Sequence, residues 1–323
     1  MSLNKSYNDN HNNITLWLFC IILLLSISPF ITHAFLKFDL SVSILSEKIS
    51  VLTYNVLVLT IAMVTALLCY IDFAARKDIS SPVLGIAILC STVFDSITIL
   101  YETGIVTSHF LNQKDEDMRI FFSLFSRGFH AGSLFIGILF FYKKSGVITP
   151  TREAKHFVIF MSLILFLLTA TGINILLNTI TVPRLQFDNL FISRPFDLLP
   201  LIVYLILAIF LLPNFIKHYK SVFTTALLLS LIPASILQLH LSTENIHSHN
   251  SDYVIELYLK TLTYLIPFSG ILINYYITVR KEINTQTLLS SIFNTSPSGI
   301  IAYSSIRNGS NEIIDFEIIH FNK

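Results

Sequence analysis

Charge is what this sequence has least of. Only 13% of its 323 residues are Asp, Glu, Lys or Arg, and 53% are hydrophobic; a soluble domain carries about 25% charged residues. The missing groups are the ones that keep a surface wet, and with a mean hydropathy of +0.69 the balance excludes a large soluble enzyme. Acidic and basic side chains nearly cancel, to a formal net charge of +1. That excludes the broad positive field a nucleic-acid partner requires. Cysteine is scarce as well: Cys20, Cys69 and Cys90 each lie inside an apolar run, with no CxxC spacing. An odd, dispersed set excludes a disulfide framework and a zinc ribbon and predicts three small core hydrophobes. No HExxH, GxSxG or phosphate-cradling glycine loop occurs, so no catalytic residue is assigned and no cofactor is named. There is no repeat at a fixed period, and no inverted pair of broken segments of the kind that marks many carriers.

What the sequence has in quantity is long apolar runs. They fall at 14–35, 50–73, 82–103, 119–142, 156–178, 195–216, 222–242 and 253–279. Each is about 20 residues or more, which at about 1.5 Å per residue crosses a hydrocarbon core of about 30 Å. The pattern predicts an all-α polytopic membrane bundle of about eight transmembrane helices, with the bilayer as its first partner. The polar stretch 1–13 lacks the basic n-region and cleavage site of a signal peptide, so the first run is read as a retained helix. Lys and Arg in alternate connections number eleven on the side of the termini against six on the other. This excess predicts a multi-pass protein with both termini in the cytoplasm. Pro29, Pro200, Pro213, Pro233 and Pro267 lie within the runs, where neighbouring helices can satisfy the carbonyls they free.

Ionisable residues inside such runs cost about 2.5–3.5 kcal/mol each on insertion scales and face a partner or a cavity. Asp95 and Arg127 lie on adjacent antiparallel helices, each about 12 Å below the outer surface by helical rise. Glu102 follows Asp95 by seven positions and His130 follows Arg127 by three, so each pair shares a helical face. Asp95, Glu102, Arg127 and His130 thus form a polar stripe between the third and fourth spans. Two roles are open for it: an Asp95–Arg127 pair that staples the hairpin, or a site that senses a ligand, a proton or a redox group, with His130 able to change charge near neutral pH. A second polar set holds His240, Glu256 and Lys260, the last two four apart on one face and expected to pair, with a proton relay as the alternative role. His247 and His249, in a loop with nearby carboxylates, are read first as part of a solvated turn and are only weak candidates for a divalent metal. Asp197 is expected to cap the start of the sixth span.

Two stretches resemble a known family. GIAILCSTVFDSITILYETG at 85–104 and RGFHAGSLFIGILFF at 127–141 are similar to the paired helices of bacterial membrane-associated sensor (MASE-type) domains. Asp95, Leu100, Gly104 and Arg127 fall on that pattern, while Thr98 stands where the family has histidine and His130 where it has glutamate. SRPFDLLPLIVYLILAIFL at 193–211 is similar to an Arg-Pro-x-acid-Leu-x-Pro stretch of the same domains. LKTLTYLIPFSGILI at 259–273 resembles their last helix, with Lys260 in place and Leu257 where a histidine is common. The resemblance covers about residues 50–281. It implies a sensory domain placed ahead of a histidine kinase or diguanylate cyclase.

After Lys281 the composition turns polar. Residues 282–292 are expected to continue the last helix as a connector. An S-P-S-G turn, an apolar stretch from Gly299 to Tyr303, an Asn-Gly turn at 308–309 and alternation from Ile313 to Phe321 then predict strand, turn, strand. This segment, 293–323, with Phe293, Pro297, Gly299, Ile300 and Asn322, resembles the opening of a cytoplasmic PAS domain and covers about a third of one. The domain plan is therefore a tail at 1–13, a transmembrane sensor at 14–281, a helical connector at 282–292 and a truncated α/β PAS segment. Its expected role is a sensory input module, homodimeric and coupled to an output domain or signalling partner. The competing expectation is a small-molecule transporter or channel whose pathway uses the buried charges.

Overall fold

A computed structural model describes residues 17–32, 44–76, 78–102, 115–143, 152–178, 183–187, 192–218, 221–243, 249–295, 301–308 and 312–321. The helices are α1 (Trp17–Thr32), α2 (Ile44–Arg76), α3 (Ser80–Glu102), α4 (Asp115–Lys143), α5 (Arg152–Asn178), α6 (Leu198–Ile206), α7 (Leu212–His218), α8 (Val222–Thr243) and α9 (His249–Thr295). Two strands follow, β1 (Ile301–Arg307) and β2 (Ile313–Phe321). The chain divides into two compact units, Met1–Asn274 and Tyr275–Lys323, and α9 contributes to both.

The first unit is a multi-pass membrane bundle. Seven helical stretches are long and apolar enough to cross a bilayer: Leu52–Arg76, Ser80–Leu100, Ile120–Phe141, Lys155–Ile175, Pro195–Lys217, Val222–Thr243 and Val254–Ile292. They match seven of the eight expected runs. The eighth, expected over 14–35, is described as the shorter apolar helix α1. Leu67, Ile136, Leu167 and Phe210 are each more than half exposed, as side chains facing lipid should be. Burial identifies the central helices: 67% of the α3 window and 61% of the α8 window lie inside the bundle, against 17% for α5.

Local chemistry sets the helix ends and bends. The Asp78 carboxylate accepts the backbone N–H and hydroxyl of Ser80 at 3.0 and 2.7 Å, starting α3. Ser221 Oγ accepts the Thr224 N–H at 3.1 Å, an N-cap for α8. The sixth span is composite: a 3₁₀ turn at Pro195–Asp197, α6, a π turn at Leu207–Leu211, then α7. Pro213 has no N–H, and its ring collides with the carbonyl four residues back in a regular helix. The π turn widens the ladder just before it, with the Leu212 N–H bonding back to Leu207 O. Close helix contacts need glycine at two places. A Cβ on Gly85 would sit 2.8 Å from the Cys69 side chain, and one on Gly270 would overlap Ala226 Cβ. Cys69 and Cys90 are buried as expected, but Cys20 is exposed on α1, since an apolar run in a membrane helix has a lipid face as well as a core face.

In the second unit β1 and β2 pair antiparallel, from Ile301↔Phe321 through Ser304↔Glu317 to Arg307↔Ile313. Asn308 closes the turn: its N–H donates to Glu312 O, and its side-chain oxygen accepts the Glu312 N–H, both at 2.9 Å. The expected strand–turn–strand order is therefore present, and Gly309 of the expected Asn-Gly turn lies outside the described residues.

Candidate functional site

One set of buried polar groups of the bundle surrounds a cavity of about 30 Å³, lined by Asp95, Arg127, His130, Tyr204, Gln238, Glu256, Lys260 and Tyr264 among others. That volume holds about two water molecules. Five elements supply it. Asp95 comes from the middle of α3, Ser126, Arg127 and His130 from α4, Tyr204 from α6, Gln238 from α8, and Glu256, Lys260 and Tyr264 from α9.

Asp95 is the hub. Its Oδ1 accepts the Ser126 hydroxyl at 2.6 Å and faces Lys260 Nζ at 3.3 Å, and its Oδ2 accepts the Tyr264 hydroxyl at 3.1 Å. Three donors, one of them charged, compensate a carboxylate that is only 5% exposed. Ser91 Oγ stands 3.4 Å from the Tyr264 oxygen and ties it back to α3.

Arg127 turns the other way. Its Nη2 donates to Asp197 Oδ1 at 2.7 Å, with 10% and 1% of the two side chains exposed. Beside this pair, His130 Nδ1 lies 2.8 Å from the Tyr204 hydroxyl, which is 3.5 Å from the Arg127 carbonyl. If that hydroxyl donates to the carbonyl, Nδ1 carries the imidazole proton and donates to the phenol oxygen. The His130 ring also packs against Tyr264, with centroids 5.6 Å apart. Both halves of the network thus meet at one histidine.

Three expected contacts are replaced by others. Asp95 and Arg127 do not pair, because sharing a depth does not mean sharing a direction. Ser126 is the residue of α4 that faces Asp95, and the next residue points about 100° further round the helix, toward the 3₁₀ turn. Glu256 and Lys260 do not pair, because Lys260 reaches across to α3. Asp197 is the N-cap residue of α6 but makes no capping bond from its side chain, which is committed to Arg127. His240 lies apart from the cavity lining. Its ring meets Phe30 of α1 edge-on at 5.1 Å, and its Nε2 is buried without a hydrogen-bond partner. Glu102 ends α3 and His249 begins α9, their side chains lying outside the described residues, as does all of His247. Among the described residues no three metal-ligating side chains cluster.

A second polar knot escaped the sequence reading. The Asp72 side chain, fully enclosed, accepts the Asn274 amide at 2.9 Å and faces Ser81 Oγ at 3.4 Å and Arg76 at 3.9 Å. Arg76 Nη1 donates to Asn274 Oδ1 at 2.6 Å. Asp72 carries the signal that marks Asp95, a carboxylate in an apolar run, and the i, i+4 arginine supports it. Asn274, Tyr204 and Tyr264 carry no such signal, being neutral residues common in any membrane helix. Two polar contacts on α9, at Lys260 with Tyr264 and at Asn274, therefore hold it to α2 and α3.

No family model, curated protein or solved structure matches this chain. What the site does is therefore read from its own geometry. It contains two interhelical ion pairs, one of them nearly enclosed, a histidine between two phenols and a small polar cavity among them.

Proposed function

We propose that this chain is the membrane-embedded sensory input module of a bacterial signalling protein. It crosses the inner membrane eight times with both termini in the cytoplasm, works as a homodimer, and passes its signal through α9 to a PAS-type segment and a kinase or diguanylate cyclase output. One observation carries this reading: the helix that closes the polar cavity, through Lys260 and Tyr264, is α9, the only described element shared by both compact units. A change at Asp95 therefore acts directly on the element that continues into the connector. Such a module responds only to a stimulus that favours one of two packings of α9, since equal affinity for both shifts nothing. The resemblance of residues 85–104 and 127–141 to MASE-type helices supports the same role.

The test is a fusion of the full chain to a diguanylate cyclase reporter placed after Lys323. One alanine inserted after Glu282 turns everything beyond it by about 100°, and Asp95→Asn weakens the attachment of α9. Both changes are expected to alter cyclase output severalfold without changing membrane insertion. Unchanged output in both, with solute flux in proteoliposomes that depends on Arg127, would instead establish the transporter alternative.

A further inference from the structure

Within the cavity Lys260 has two acidic groups in reach and serves one. Its Nζ stands 3.3 Å from Asp95, while Glu256, one turn earlier on α9, lines the same cavity and has no ion-pair partner among the described residues. Glu followed by Lys at i+4 is the favourable order for a pair within one helix, so Glu256 competes for the same ammonium. Arg127, whose Nη2 is held by Asp197 and whose Nε is buried without a hydrogen-bond partner, makes no ion pair with Glu256. Lining the same cavity from α8 is a second unmet group: Gln238, 1% exposed, has a buried Oε1 without a partner. A free carboxylate and a free amide oxygen thus line a space of about two waters, with the neighbouring lysine already neutralised by Asp95.

We propose that this cavity binds one small monovalent cation, a proton or an alkali ion, at Glu256 and Gln238, and that its binding fastens α9 to α3. With Glu256 neutralised, nothing competes with Asp95 for Lys260, and the interhelical contact closes. With Glu256 free, Lys260 divides its time between the two acids and α9 loosens. The other groups facing the lysine and its acids do not replace the cation. On α4, Arg127 is paired and His130 is bonded to the Tyr204 hydroxyl of α6; on α9, the Tyr264 hydroxyl already donates to Asp95. This inference rests on the sensory reading of the same cavity and adds to it the class of ligand.

Hydrogen–deuterium exchange of the full chain in nanodiscs tests it, read on peptides covering 254–266 and corrected for intrinsic rates. One arm exchanges choline for sodium at about 0.15 M ionic strength; the other lowers the pH from neutral to mildly acidic in choline. In the native chain one arm is expected to slow exchange about threefold, the scale of one ion pair, and that arm identifies the ion. Glu256→Gln should be slow in every condition and unresponsive. Asp95→Asn should be fast in every condition, because no acid on α3 remains to be fastened. A native chain that responds in neither arm overturns the proposal, as does a Glu256→Gln chain that responds like the native one. Cyclase output that still changes with Asp95→Asn would then leave the sensory role standing without the cation.

Discussion

Replacing Arg127 by Met keeps a long unbranched side chain but removes the charge from a pair in which Asp197 is 1% exposed and 2.7 Å away. Removing one partner of a buried pair costs about 3–5 kcal/mol, because the survivor remains desolvated and uncompensated. The carboxylate left behind also keeps an Oδ2 that has no partner even in the native protein. Asp197→Asn orphans the guanidinium in turn but should cost less, since an amide oxygen can still accept the Nη2 bond and Arg127 is the more exposed partner, at 10% against 1%. The informative quantity is the coupling energy, measured by reversible unfolding in lipid for Arg127→Met, Asp197→Asn and the double variant. It should be about 1.5 kcal/mol or more, within the range for residues in direct contact. A parallel cycle with Asp95→Asn should give a coupling at least about 1 kcal/mol smaller, because Asp95 is served by Ser126, Lys260 and Tyr264. The reverse order, with Arg127 coupled more strongly to Asp95 than to Asp197, would refute the assignment of partners and restore the hairpin staple.

Two further substitutions probe how α9 is held. Asn274→Ala strips the buried Asp72 of its amide donor and Arg76 of its acceptor; it should cost about 1–3 kcal/mol, visible in the same unfolding assay. Gly270→Leu drives a side chain into Ala226 on α8. Overpacking of this kind costs about 1–3 kcal/mol, and Ala226→Gly in the same chain should recover part of the lost thermal stability.

The helices were legible because a membrane span is written in a single variable. Val222–Thr243 is recovered to within a residue from hydropathy alone, and β2 is recovered from two-residue alternation over Ile313–Phe321, whereas the apolar stretch read at Gly299–Tyr303 overlaps β1 only in part. Read as two separate polar sets, Asp95, Arg127 and His130 on one hand and Glu256 and Lys260 on the other reach one cavity; of their placement, the common depth of Asp95 and Arg127 was legible from helical rise. Direction was not. Whether Arg127 turns to Asp95 or to Asp197 depends on one step of 100° around α4 and on where the 3₁₀ turn at Pro195–Asp197 brings a third helix. No local pattern encodes either. The π turn was half legible, since Pro213 marks a break in the ladder but not how the chain closes it. Neutral partners were invisible: Tyr264, Tyr204, Gln238 and Asn274 become significant only once a charged group is placed beside them.

The two buried ion pairs also impose an order on the making of the protein. Asp95 and Arg127 leave the ribosome early, Asp197 is 70 residues behind Arg127, and Lys260 lies on the last span. While α3 and α4 are alone in the bilayer, the best counter-charge available to each is the other. The expected outcome is a transient hairpin staple during biogenesis, dissolved in two steps as α6 and then α9 arrive with the final partners. A chain stopped before Arg194 should accordingly insert poorly when Arg127 is replaced by Ala and recover when Asp95 is replaced by Asn as well; equal insertion of all three would exclude the exchange. The same residues would thus serve in succession as a stitch for membrane insertion and as separate anchors in the finished bundle.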